Sequence, residues 1–199
     1  SSLLKEADIR LFVADNMNSD LVTIDFPSGQ VINRVSTPPS IMTLQVGGNN
    51  NHIYAMRGRN TDEGIMSIIS TGYDKDEKRF RPPYVIRTLK LDTPGGGRNN
   101  GSGHIMATVD GYDAVLTEGD GKIIVLMNDE IDGFSKLRTK TYDLAAPDHY
   151  HYLEGQKYLY IGHLFKGFVQ ILNKNTGEEL NKIGNCPMLH GMGRDGESG

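Results

Sequence analysis

The sequence predicts an all-β protein, a β-propeller of about four antiparallel, four-stranded blades. Three observations carry this expectation. Short runs of β-branched and aromatic residues recur along the chain, each bounded by Gly, Asn, Asp or Pro turns. A strand–turn–strand unit repeats: Leu21-Val-Thr-Ile-Asp-Phe-Pro-Ser-Gly-Gln-Val31 has the layout of Val169-Gln-Ile-Leu-Asn-Lys-Asn-Thr-Gly-Glu-Glu179. Its turn glycines, Gly29 and Gly177, lie 148 residues apart, three intervals of about 49, which is a propeller-blade period. Finally, no segment sustains the 3.6-residue period of an amphipathic helix.

Taken in order, Arg10–Ala14, Leu21–Asp25 and Val31–Ser36 are three strands, with turns at Asn16–Ser19 and Pro27–Gly29. Ile41–Val46, His52–Met56, Gly64–Ile69 and Tyr84–Leu91 form a second meander, whose hairpin is interrupted by a charged insert, Gly72–Arg79, expected as a solvated loop. A third comprises His104–Val109, Asp113–Thr117, Lys122–Met127 and Leu137–Tyr142, with Glu118-Gly-Asp-Gly121 as a tight turn. The fourth comprises His151–Leu153, Lys157–Ile161, Gly167–Leu172 and Glu178–Ile183. Phe168–Leu172 is apolar on both faces, so its sheet must be covered on both sides, as in face-to-face stacking. The single propeller domain thus spans 1–199, with blades at about 8–36, 41–91, 104–142 and 151–183 and the start of a further blade at 188–199. Four blades lie at the lower limit for a closed ring. The expectation is therefore an incomplete ring, its open apolar faces covered by more chain or by another subunit.

Composition excludes several classes. With 21 Lys and Arg against 25 Asp and Glu, the chain has no basic footprint for nucleic acid. No apolar run approaches the roughly 20 residues of a membrane span. The start at Ser1 reads as a mature or trimmed chain whose targeting information has gone. Cys186 is the single cysteine, fitting either a reducing compartment or a partner in sequence outside this chain. The glycine-rich stretch Pro94–Gly103 lacks the Lys-Ser/Thr of a phosphate loop and is expected as a plain loop. It contains the sequon Asn100-Gly-Ser102. Asp129–Gly133 lacks EF-hand spacing, and the strand methionines are expected in the core.

The histidines carry the chemistry. His104 opens the third unit, His149 or His151 the fourth, and His190 an expected fifth; the spacings of 45 (104 to 149) and 41 (149 to 190) residues are about one blade each. Equivalent positions of successive blades lie on a ring about the axis, so these imidazoles are expected to converge at a channel mouth. Three imidazoles suit Zn²⁺, with Asp120 or Asp148 completing a tetrahedron. Taken singly, each histidine could instead cap a strand or pack alone. No Ser-His-Asp or paired-carboxylate arrangement is placed, and Trp is absent, so neither a lactone hydrolase nor a redox enzyme is expected.

Val13-Ala-Asp15, Val22-Thr-Ile-Asp25, Ser28-Gly-Gln-Val31, Ala145-Ala-Pro147 followed by His149, and above all Cys186-Pro-Met-Leu-His-Gly191 resemble the AztD type of periplasmic zinc chaperone, a β-propeller family with YVTN- or WD40-like repeats. The resemblance runs from about residue 10 to the end and corresponds to the first half of such a protein. It implies a periplasmic or secreted zinc-binding module that hands the metal to the solute-binding protein of an importer. Carried over, His190 matches the histidine after the cysteine, His149 the one after Ala-Ala-Pro (His151 is the alternative register), and His104 an inner-strand histidine. Cys186 would pair with a cysteine further along. The family's mobile His- and Asp-rich loop falls at Gly72–Phe80, which has no histidine, so transfer has less support than binding. The alternative is a non-catalytic assembly module that exposes blade edges for self-association into oligomers or filaments.

Overall fold

The structure, a computed structural model, describes residues 9–37, 41–48, 50–57, 64–91, 104–107, 112–127, 130–132, 137 and 139–193. For 41–43, 57 and 104–107 it describes the backbone alone. The glycine-rich stretch 94–103 with its sequon, positions 129 and 133 and the last six residues lie outside the described set, as does the side chain of His104.

Apart from a 3-10 turn at Glu130, every regular element among the described residues is a β-strand. A first sheet contains β1 (Ile9–Asp15), β2 (Asp20–Phe26) and β3 (Gln30–Ser36). The second contains β4 (Ile41–Val46), β5 (His52–Arg57), β6 (Ile65–Ser70) and β9 (Tyr84–Lys90). The third contains β10 (His104–Ala107), β11 (Tyr112–Thr117), β12 (Lys122–Met127) and β13 (Thr139–Asp143). The fourth contains β14 (Tyr150–Glu154), β15 (Tyr158–His163), β16 (Phe168–Asn173) and β17 (Glu179–Ile183). Within each sheet the strands lie in chain order and pair antiparallel, as the short connections require. The first sheet has three strands rather than four.

Strand alternation explains why these sheets stack. In β5, Ile53 and Ala55 face the first sheet, packing with Leu21 and Ile69, whereas Tyr54 and Met56 face the third, packing with Val115 and Leu126. In β12, Ile123 and Val125 face the fourth sheet while Ile124 and Leu126 face the second. Successive residues of one strand thus feed two different apolar layers, which is only possible for a sheet covered on both faces. Each fully buried Leu, Ile or Met contributes about 1.5–3 kcal/mol relative to exposure. The end faces differ: Ile9, Leu11 and Val13 of β1 are exposed, and β17 is exposed along its whole length. β10 lies beside both β4 and β14, so the first strands of consecutive sheets adjoin.

The turns repeat with the strands. Gly29, Gly121, Gly167 and Gly177 each donate their N–H to the carbonyl four residues back, at 2.8–3.0 Å. The left-handed conformation this turn needs is taken by Gly177 at φ 74°, with the ring of Tyr142 packed where a side chain would stand.

The insert expected as a solvated loop is instead a two-stranded ribbon, β7 (Tyr73–Asp74) and β8 (Arg79–Phe80). Tyr73 and Phe80 meet with ring centroids 5.2 Å apart, and the Asp74 carboxylate accepts the N–H groups of Asp76 and Glu77 across the turn. Arg10 lies over the Phe80 ring and donates to the Arg81 carbonyl, fastening the ribbon to the first sheet. Charge density outweighed these two aromatics in the sequence pattern. Residues 188–193, expected to open another blade, are a loop.

Candidate metal centre

The site is built where β14 begins. Asp148 is buried, and its carboxylate accepts three backbone N–H groups: His149 at 2.7 Å, Phe165 at 3.1 Å and Lys166 at 2.8 Å. This pins the start of β14 to the turn between β15 and β16. Tyr150 points into the core between the third and fourth sheets, its hydroxyl donating to the Ala146 carbonyl at 2.7 Å. Burial pushes its phenol well above the ordinary range, so it stays protonated. Because Tyr150 points inward, His149 and His151 on either side of it emerge together on the opposite face.

His190 arrives from the loop after β17. The Cys186 N–H donates to the Gly167 carbonyl at 2.9 Å, and Pro187 lies against Gly167. Leu189 lies over Gly162, the cross-strand partner of His151, where an added Cβ would stand 2.5 Å from the Leu189 Cδ2. Gly162 is thus the seat for Leu189, and this seat sets His190 beside His151. The rings of His151 and His190 are 4.6 Å apart, those of His149 and His190 6.1 Å, and those of His149 and His151 5.7 Å. One ligand nitrogen from each lies within 4.8 Å of the other two.

His149 and His151, given by the sequence as alternative registers of one ligand, both stand in the cluster with His190. His104 lies in β10, paired with Leu116 and in a strand beside β14, and its side chain is outside the described residues. Asp120 is held elsewhere. It accepts the Thr117 hydroxyl, pairs with Lys122 at 3.2 Å, and lines a cleft of about 570 Å³ between the second and third sheets. Asp148 has its carboxylate occupied by backbone donors. The carboxylate that does reach the cluster is Glu118, whose Oε1 lies 2.6 Å from His149 Nδ1. Glu118 stands in the β11–β12 turn and is buried by the stacking of the third sheet on the fourth. Nothing in its own sequence neighbourhood separates it from Asp120, two residues on.

Three imidazole nitrogens match the donor set of borderline divalent ions, Zn²⁺ foremost. A tetrahedral Zn²⁺ with Zn–N bonds of about 2.0–2.1 Å holds its nitrogens about 3.3 Å apart. Closing from the present spread asks for a displacement of about 1.5 Å at most, and His190 sits exposed on a loop that can supply it. Three imidazoles would leave the fourth position of such an ion to water or an incoming ligand. Cys186 is half-buried in the same loop and its Sγ donates to the Gly184 carbonyl at 3.5 Å.

No protein-family model and no curated protein sequence matches the chain. Solved structures do. Apo AztD from Citrobacter koseri superposes with a TM-score of 0.67 at 18% identity, over 89% of this chain and 47% of that one. A second structure of Citrobacter koseri AztD gives 0.68 at 18% identity, over 92% and 48%. The fold is like that of AztD. The periplasmic gluconolactonase PpgL of Pseudomonas aeruginosa also matches, with a TM-score of 0.61 at 15% identity, over 89% of this chain and 52% of that one. At such identities the likeness is one of fold. The chain spans about half the length of these matched structures. No helix among the described residues is long and apolar enough to cross a membrane.

Proposed function

We propose that the chain is a zinc-binding arc of a β-propeller, acting as a periplasmic or secreted metallochaperone module whose cargo is held by His149, His151 and His190. The observation that carries the proposal is the convergence of three ligand nitrogens within 4.8 Å on the face opposite Tyr150. Its propeller geometry is supported by the consecutive stacking of the sheets and by the adjoining first strands β4, β10 and β14, the arrangement of innermost strands about a common axis. In this reading the four sheets are the blades of the single domain and Cys186 is structural, held against Gly167 and pairing with a cysteine elsewhere in the parent protein.

Metal delivery to an importer's solute-binding protein fits the resemblance of Cys186–Gly191 and the fold likeness to AztD. A His190 on an exposed loop, beside two half-buried partners, is suited to opening and handing over a metal. The ribbon β7–β8 offers carboxylates without imidazoles, so collection of zinc would fall to the three-histidine site. The chain acts by binding rather than catalysis, the gluconolactonase likeness at 15% identity being one of fold.

Isothermal titration with Zn²⁺ tests the proposal. One equivalent bound at neutral pH, removed by a chelator and abolished by the paired substitution His149→Ala with His190→Ala, is the expected result. An absence of zinc uptake would overturn it, and lactone hydrolysis that persists in the metal-stripped protein would overturn the non-catalytic assignment.

A further inference from the structure

We infer that Glu118 is the positioning residue of this site, the carboxylate that fixes which nitrogen of His149 faces the metal; the inference rests on the zinc-binding reading above. Glu118 belongs to a different sheet from the three histidines. It is nevertheless almost wholly buried, and its Oε1 stands 2.6 Å from His149 Nδ1, a short hydrogen bond just below the range of about 2.7–2.9 Å usual for charge-assisted N–H···O bonds. An imidazole nitrogen facing a carboxylate oxygen at this distance keeps its proton and donates the N–H as a hydrogen bond, so it has no lone pair for a metal. His149 then coordinates through Nε2, and its ring plane is set by a residue on the β11–β12 turn.

Three consequences follow from the chemistry. A neutral histidine left to itself populates both tautomers, so holding Nδ1–H in place removes the wrong one before the ion arrives. The hydrogen bond holds the ring in one orientation, so Nε2 keeps a fixed direction. The carboxylate also places one negative charge beside an otherwise uncharged three-imidazole set, offsetting half the charge of a divalent ion in a partly buried site. The neighbouring carboxylates cannot serve: Asp120 is held by Thr117 and Lys122, and Asp148 by backbone N–H groups. The third sheet thereby takes part in the site through Glu118 without supplying a ligand among the described residues.

The test combines two measurements on the full chain. Imidazole ¹⁵N chemical shifts of the metal-free protein at mildly alkaline pH report the His149 tautomer, and calorimetry with Zn²⁺ reports affinity. The wild type is expected to show protonated Nδ1 at His149. Glu118→Ala should lose that signature. Glu118→Ala and the isosteric Glu118→Gln should both bind zinc about 10–100-fold more weakly at unchanged stoichiometry. Glu118→Asp should recover part of the affinity. A purely structural Glu118 would change the unfolding midpoint of the metal-free chain but leave zinc affinity within twofold, and that outcome overturns the inference while the metal site stands. A His149 protonated on Nε2 in the wild type overturns it directly. If the wild type binds no zinc although Nδ1 carries the proton, the zinc reading itself fails, and the hydrogen bond serves the fold alone.

Discussion

Substituting Gly162 by Ala should separate the fold from the site. The added Cβ would stand 2.5 Å from Leu189 Cδ2, a contact no packed structure keeps, and 3.4 Å from the His151 Cβ, an ordinary one. The clash falls on the far end of a flexible side chain, so Leu189 moves and the strand does not. Leu189 is half-buried, and full burial of a Leu contributes about 1.5–3 kcal/mol, so unseating it costs about 1 kcal/mol. Against this, replacing a strand glycine by alanine at a permitted backbone conformation stabilises by about 0.4–1 kcal/mol. The two terms nearly cancel, and the denaturant midpoint should barely move. Zinc binding has no such offset. The loop that carries His190 must be drawn in without its anchor, and about 1 kcal/mol corresponds to roughly a fivefold loss of affinity. Urea unfolding and zinc calorimetry on the same preparation measure both. Unchanged affinity would refute the claim that Leu189 seats His190, as would a large fall in stability with affinity intact.

Gly177→Ala should destabilise by about 2–3 kcal/mol, because it places a side chain at φ 74° and drives it into the buried Tyr142 ring; thermal unfolding checks this. Tyr54→Phe removes the donor that lies 2.5 Å from the buried Asp113 carboxylate, leaving Asp113 with the Gly48 N–H at 3.0 Å. The expected loss is about 1.5–3 kcal/mol, read by chemical denaturation. His163 is buried against Phe168, and burial holds its imidazole below the ordinary value despite the hydrogen bond with Gln170. The folded chain therefore favours the neutral ring. Its contribution to stability is complete above the unfolded value of about 6.5 and is lost as pH falls from there through the folded value. Unfolding of the metal-free chain as a function of pH should show this acid-side slope, reduced in His163→Gln.

Much of the fold was legible because strand periodicity is local. Lys122–Met127 and Ile41–Val46 were expected where β12 and β4 stand, and Gly29 and Gly177 close the turns assigned to them. Their apolar neighbours on both faces announced sheets covered on both sides. The ribbon β7–β8 was missed because its two aromatics are separated by a run of charges. At the site, blade spacing suggested one histidine from each of three units. The described cluster instead draws two from the start of β14, two residues apart and hence on one face, and one from a loop that folds back over Gly162. Alternation about Tyr150 contained that answer. Glu118 and the seat for Leu189 were not legible, because both depend on how one sheet stacks on the next and where a loop returns.

The zinc K-edge X-ray absorption spectrum of the chain loaded with one equivalent of metal tests the central claim most directly. Three imidazole nitrogens at about 2.0–2.1 Å, with a light atom as fourth neighbour, are predicted. The imidazole count should fall by one in each of His149→Ala, His151→Ala and His190→Ala. A first shell of carboxylate oxygens or sulfur, or an imidazole count indifferent to these substitutions, would contradict the account.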